Sequence, residues 1–119
     1  MSDKYQYQQI NLAGDVTNDV ASLDLMTSPG SVTYVNIERA VISVYKAAAG
    51  GIVRLQDTNG NNIFTVSASA VGVFSMNWGD EGLQKGPNVG IQAITAESTG
   101  TEQAYASVAI SGHKTFKAA

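Results

Sequence analysis

The sequence predicts an all-β protein, a single-domain antiparallel β-sandwich or jelly-roll with a polar N-terminal arm. Three observations carry that expectation. The C-terminal half alternates apolar and polar residues with the period of two that a pleated strand with one buried face produces. Clusters of Gly, Asn, Asp, Ser and Pro interrupt the alternation at short intervals, each suited to a turn. The chain has 119 residues, a length that buries roughly two-thirds of the unfolded surface and needs no covalent staple.

Along the chain, residues 1–9 are rich in Gln and Tyr and poor in core-forming side chains, which sets them apart as an arm from a sandwich over residues 10–119. Ile10 and Leu12 begin the first buried pair. Residues 15–24 read two ways. Val16, Val20 and Leu23 fit one face of a short helix capped by Asp15 or Asn18, and the preferred reading is an irregular stretch leading into a strand over residues 21–25. Pro29 presets φ and Gly30 supplies positive φ for a turn. Residues 31–37 form a strand whose alternation breaks near Tyr34 and Val35, and residues 40–47, with Val41, Ile42, Val44 and Tyr45, form another. After the flexible break at Gly50 and Gly51, residues 51–56 and 62–68 flank Asn59-Gly60, the preferred pair for a two-residue type I′ hairpin turn.

Residues 72–78 place Phe74, Met76 and Trp78 on one face. Residues 79–88 read as a loop. In residues 89–97, Val89, Ile91 and Ala93 share a face. After a turn at residues 98–101, residues 103–112 alternate most regularly, with Ala104, Ala106, Val108 and Ile110 facing one way and Tyr105, Ser107, Ala109 and Ser111 the other. Eight or nine strands with frequent turns match a sandwich or jelly-roll. The faces turned away from the core carry Ala, Ser and Gly, so a second protein surface can come close.

Composition removes several classes of function. Seven basic and ten acidic residues give a net charge of −3, and the cations form no stripe. Sequence-independent nucleic-acid binding needs clustered cations, so no nucleic-acid partner is expected. There are no cysteines, which excludes disulfides, thiolate chemistry and Cys-based metal sites. No apolar run approaches a membrane span, and the start shows no signal-peptide core. The expected setting is a reducing cytoplasm, or something larger assembled there. Only 14% of the residues are charged, against roughly 25% in soluble domains, so docking to another protein desolvates few ions.

No catalytic, metal or cofactor site is expected, and the protein reads as no enzyme. The sole histidine, His113, follows the last predicted strand, where a solvated or packing role outweighs a place in a triad. One His and no Cys make a zinc site improbable on ligand count. A calcium loop starting at Asp57 would need glycine and glutamate where Asn62 and Ala68 stand. Asp80 and Glu81 are adjacent and diverge on an extended chain, and no phosphate-binding glycine motif opens a helix. Trp78, Tyr45 and Phe74 could stack on a sugar, although the patterned face places Trp78 and Phe74 in the core. Tyr5, Tyr7 and Tyr105, with Gln8, are the expected contact residues, because tyrosine offers a large contact area with two torsions to freeze.

Residues 90–113, ending Ser111-Gly112-His113, together with Arg54-Leu55-Gln56-Asp57-Thr58-Asn59-Gly60, resemble the small jelly-roll decoration (cement) proteins of tailed-bacteriophage heads. The likeness covers residues 50–113 and lies in short Ala/Ser/Val strands and Gly turns. It implies a non-enzymatic virion protein on the capsid surface, assembled in the host cytoplasm. Such a protein is a homotrimer that binds the major capsid protein between capsomers and stabilises the shell. In that picture residues 1–10 reach onto a neighbouring subunit. The alternative is a carbohydrate- or receptor-binding jelly-roll module, a phage fibre tip or lectin-like domain, using the loop at residues 79–88.

Overall fold

The computed structural model describes residues 5–17, 22–27, 29–96 and 103–117, with the side chains of residues 5–7 and 117 outside the description. Nine strands occur among the described residues: β1 (Tyr5–Val16), β2 (Ser22–Met26), β3 (Thr33–Lys46), β4 (Ile52–Asp57), β5 (Asn62–Ser67), β6 (Gly72–Asn77), β7 (Leu83–Lys85), β8 (Ile91–Ala96) and β9 (Tyr105–Lys117). They pair antiparallel into two sheets. The long sheet runs β1-β9-β3-β6, with β7 also on β3, and the short sheet runs β2-β8-β4-β5. With β7 set aside, this is the jelly-roll order: eight strands that exchange sheets so that the first pairs the last. The fold class matches the sequence expectation.

The core lies between the sheets. Val16, Ile37, Ile42, Val44 and Val108 from the long sheet meet Val53, Leu55 and Ile91 from the short one, all essentially inaccessible to water. Ala93, Ala104 and Ala106 are buried with them. Leu55→Ala or Ile42→Ala belongs to the class of core truncations that cost about 2–5 kcal/mol.

The structure departs from the sequence reading in four places. Residues 31–37 and 40–47, read as two strands, are one strand, β3. The register steps from Ile37↔Gly112 to Arg39↔Ser111, leaving Glu38 as an extra residue. This bulge moves the buried positions from the odd series, Val35 and Ile37, to the even series, Ala40, Ile42 and Val44.

The β4–β5 hairpin has no type I′ turn. Asp57 accepts the Gly60 N–H and donates its own N–H to the Asn61 carbonyl. Gly60 alone of the Asn-Gly pair takes positive φ, at 88°. The result is a type I turn closed by a glycine bulge, held by the Asp57 carboxylate. The predicted loop at residues 79–88 contains β7, which pairs Leu83–Lys85 with Val35, Asn36 and Ile37; three residues are too few to show a period. The last strand continues to Lys117, so His113 lies within it. A strand paired on both sides, to β1 and β3, is sustained by backbone hydrogen bonds where apolar alternation has stopped.

Of the nine residues read as an arm, residues 5–9 carry backbone pairing to residues 113–117, while residues 1–4 lie outside the described residues. The second strand covers Ser22–Met26; the helical alternative and the expected strand start fall partly on residues 18–21, outside the described residues, as does the predicted turn at residues 98–101.

Candidate docking surface

The candidate surface is the face of the long sheet turned away from the core. Successive side chains on a strand point to opposite faces, so the register lines them up in rows. Ala13, Ala109 and Val41 form the central row across β1, β9 and β3. Asn11, Ser111 and Arg39 form the row on one side, and Asp15, Ser107 and Ser43 the row on the other. Ala13 and Ala109 are exposed and Val41 is half-buried. The central row floors two adjoining shallow depressions, one opening toward Arg39 and the other toward Asp15.

The chemistry of this face is that of a contact surface. Small side chains let a partner's backbone approach closely. The middle is apolar, and polar groups stand around it, the arrangement of a protein–protein patch with an apolar centre and polar rim. The Ser107 hydroxyl donates to Asp15 Oδ1 at 2.8 Å and fixes that carboxylate on the rim. Beyond it, Tyr45 and Tyr105 meet edge to face with ring centroids 6.1 Å apart. Lys46 Nζ lies 4.5 Å from the centre of the Tyr105 ring, a cation–π arrangement. Partial desolvation, the Asp15 carboxylate and Tyr105 together hold the Tyr45 phenol above the ordinary tyrosine value.

The four predicted contact residues do not form one site. Tyr5, Tyr7 and Gln8 lie at the start of β1, opposite Lys117, Thr115 and Lys114. Tyr105 is half-buried at the other end of the sheet, beside Tyr45. At about 3.3 Å per residue, roughly 30–35 Å of strand separates Tyr7 from Tyr105. Gln8 is exposed.

The aromatic trio Trp78, Tyr45 and Phe74 is divided as well. Phe74 and Trp78 are half-buried against the core, where Trp78 meets Phe64 edge to face at 6.5 Å, while Tyr45 is exposed. Met76, expected beside Phe74, is 41% exposed at the sheet rim. His113 is buried, and its Nδ1 lies 2.7 Å from Glu38 Oε2, which ties β9 to the bulged residue of β3. Beside it, Asn36 Nδ2 donates to Thr115 Oγ1 at 3.3 Å.

The small residues of β9 were visible in the sequence as an alternating series. Their neighbours Ala13, Asp15 and Val41 were not, because only the strand order places β1 and β3 on either side of β9.

No family model matches the sequence, and no curated protein matches it. Among solved structures, the chain is similar to one from the acidic stable capsid structure of Helicobacter pylori bacteriophage KHP30, with a TM-score of 0.53 and 10% identity, covering 95% of this chain and 98% of that one. It is also similar to a chain of the Bacillus endospore appendages that form a family of disulfide-linked pili, with a TM-score of 0.51 and 7% identity, covering 97% and 91%. A chain of the cyanophage Pam1 capsid asymmetric unit aligns with a TM-score of 0.46 and 12% identity, covering 96% and 84%. At these identities the first two likenesses show a shared β fold.

Proposed function

We propose that this protein is a non-enzymatic structural component of a bacteriophage head, which decorates the assembled capsid and stabilises it by binding between capsomers. The observation that carries the reading is the KHP30 likeness, which spans nearly the whole of both chains, so two small proteins of similar size share one fold. The pilus likeness points to a different mode of assembly, linkage by disulfides, and this chain has no cysteine with which to form one.

In this reading the outer face of the long sheet lies against the major capsid protein, with Ala13, Val41 and Ala109 at the centre. Tyr5, Tyr7 and Gln8 add a second contact at the end of β1. Trimeric assembly at a three-fold position gives three such faces, and their combined attachment exceeds any one of them. The protein then resides on the virion surface after assembly in the host cytoplasm.

The test is co-sedimentation of the purified chain with expanded shells of its phage. The wild type is expected to pellet with them. Ala109→Arg puts a long cation on an exposed site without touching the core, and is expected to weaken attachment by at least about tenfold, equivalent to about 1.4 kcal/mol. Wild-type protein that stays in the supernatant overturns the reading. Normal attachment of the Ala109→Arg variant removes this face from it.

A further inference from the structure

The charged residues are distributed unevenly over the molecule. Residues 58–79 contain no Asp, Glu, Lys or Arg. This uncharged block holds β5 and β6, and the topology turns it into one complete flank of the sandwich. β5 ends the short sheet and β6 ends the long sheet, so among the described residues each has one strand rim without a partner. The opposite flank is built differently, with Asp15 on β1 and Asp24 on β2.

An unprotected rim is a template for strand pairing, and folded proteins usually guard it with lysine, proline or an inward charge. β6, with the sequence Gly72-Val73-Phe74-Ser75-Met76-Asn77, has none of these. β6 and the residue just before it also present apolar side chains to water: Val71 is 66% exposed, Val73 72% and Met76 41%. Tyr45, also exposed, follows Val44, which pairs with Gly72, and so adjoins this group at the end of the β3–β6 ladder; Val32 stands apart from it.

We infer that the β5–β6 flank is where copies of this chain meet. The argument for a second copy is electrostatic and geometric. Each chain carries a net charge of −3, so two copies repel through most approaches, and the uncharged flank is the approach with least repulsion and no ion to desolvate. A strand rim is also its own complement, since the N–H and C=O groups of one copy match those of another. Pairing β6 with a neighbour's β6 gives a two-fold contact, whereas pairing it with a neighbour's β5 gives a head-to-tail contact, which makes a ring where the rotation between copies closes. The inference rests on the capsid reading for its biological setting; Val73 pairs with Ser43 and so prolongs the Asp15–Ser107–Ser43 row of the outer face, and pairing at the β6 rim leaves the central row of Ala13, Ala109 and Val41 for the shell.

The experiment measures mass in solution, by light scattering on a sizing column, for the free wild-type chain, Val73→Lys and Val71→Lys. Both valines project into solvent, so neither lysine disturbs the core, and a far-ultraviolet β spectrum checks the fold. The wild type is expected as a defined oligomer. Both variants are expected to fall to the single-chain mass of 12.4 kDa. A monomeric wild type, or variants that keep the oligomeric mass, overturns the inference. A wild-type oligomer that Val73→Lys dissociates but that ignores expanded shells upholds this inference and removes the capsid reading. A monomer that pellets with shells does the reverse.

Discussion

Gly112→Ala is expected to abolish stable folding. A β-carbon at this position would lie 2.0 Å from the carbonyl oxygen of Asn36 and 3.1 Å from both the Asn36 carbonyl carbon and the Glu38 nitrogen. All three are backbone atoms of β3 at its bulge, so no side chain can rotate away. Gly112 also sits in β9, which is paired on one side to Ile10 and on the other to Ile37. Moving β9 to make room would disturb both ladders.

Steric conflicts of this kind fall in the exceptional class of about 4–5 kcal/mol or more, a large share of the about 5–15 kcal/mol that holds an ordinary domain together. Gly60→Ala is the informative comparison. Gly60 has φ at 88° and open space around it, so its expected cost is the conformational one alone, about 1–2 kcal/mol. Denaturant midpoints measured for both variants decide the matter. A Gly112→Ala midpoint at or above that of Gly60→Ala would show that the bulge yields.

The second large effect is at Asp57. Its side chain is nearly inaccessible, and burial alone would push its carboxyl up toward the neutral form. Hydrogen bonds outweigh that push: the Asn61 N–H and side-chain amide donate at 2.9 and 3.2 Å, and the Asn59 N–H at 2.9 Å. Lys85 Nζ adds a favourable charge 3.7 Å away. The net result holds the carboxyl below the ordinary aspartate value.

In the unfolded chain these donors are gone, so the unfolded state takes up a proton at higher pH than the folded one. Stability from Asp57 is therefore complete above the ordinary aspartate value and drains away as pH falls through the lower folded value. Asp57→Ala is expected to cost about 2–3 kcal/mol at neutral pH, because it strands buried donors. Asp57→Asn is expected to flatten the acid limb of the stability profile. The measurement is denaturant unfolding from neutral into acid pH, and an Asp57→Asn profile parallel to the wild type would refute this account.

Several parts of the fold were legible in the sequence because one residue in two faces the core. The regular alternation of Ala104, Ala106, Val108 and Ile110 is buried in the structure, the last three as the core-facing side of β9. Ile91 and Ala93 are buried on the core face of β8 as expected, and Val89, also buried, precedes that strand. Where the period changed phase, the reading divided one strand into two, since a bulge at Glu38 and a loop look alike in a one-dimensional pattern. The hairpin at Asn59-Gly60 was found but its turn was not, because the Asp57 carboxylate reaches the backbone at Asn59 and Asn61, and that reach overrides the dipeptide preference. The outer face was half legible. Ser107, Ala109 and Ser111 announce a small-residue surface, but its other half arrives from β1 and β3, far away in sequence.

The pairing of β1 with β9 has a mechanical consequence. The two strands run side by side from Tyr5↔Lys117 to Val16↔Ala106, twelve register positions in unbroken succession. A pull on the leading end of β1, directed along the strand, loads every rung of that ladder together. A sideways pull opens the rungs one after another at far lower force. The molecule thus resists traction in one direction and peels in the other, as adhesive tape does.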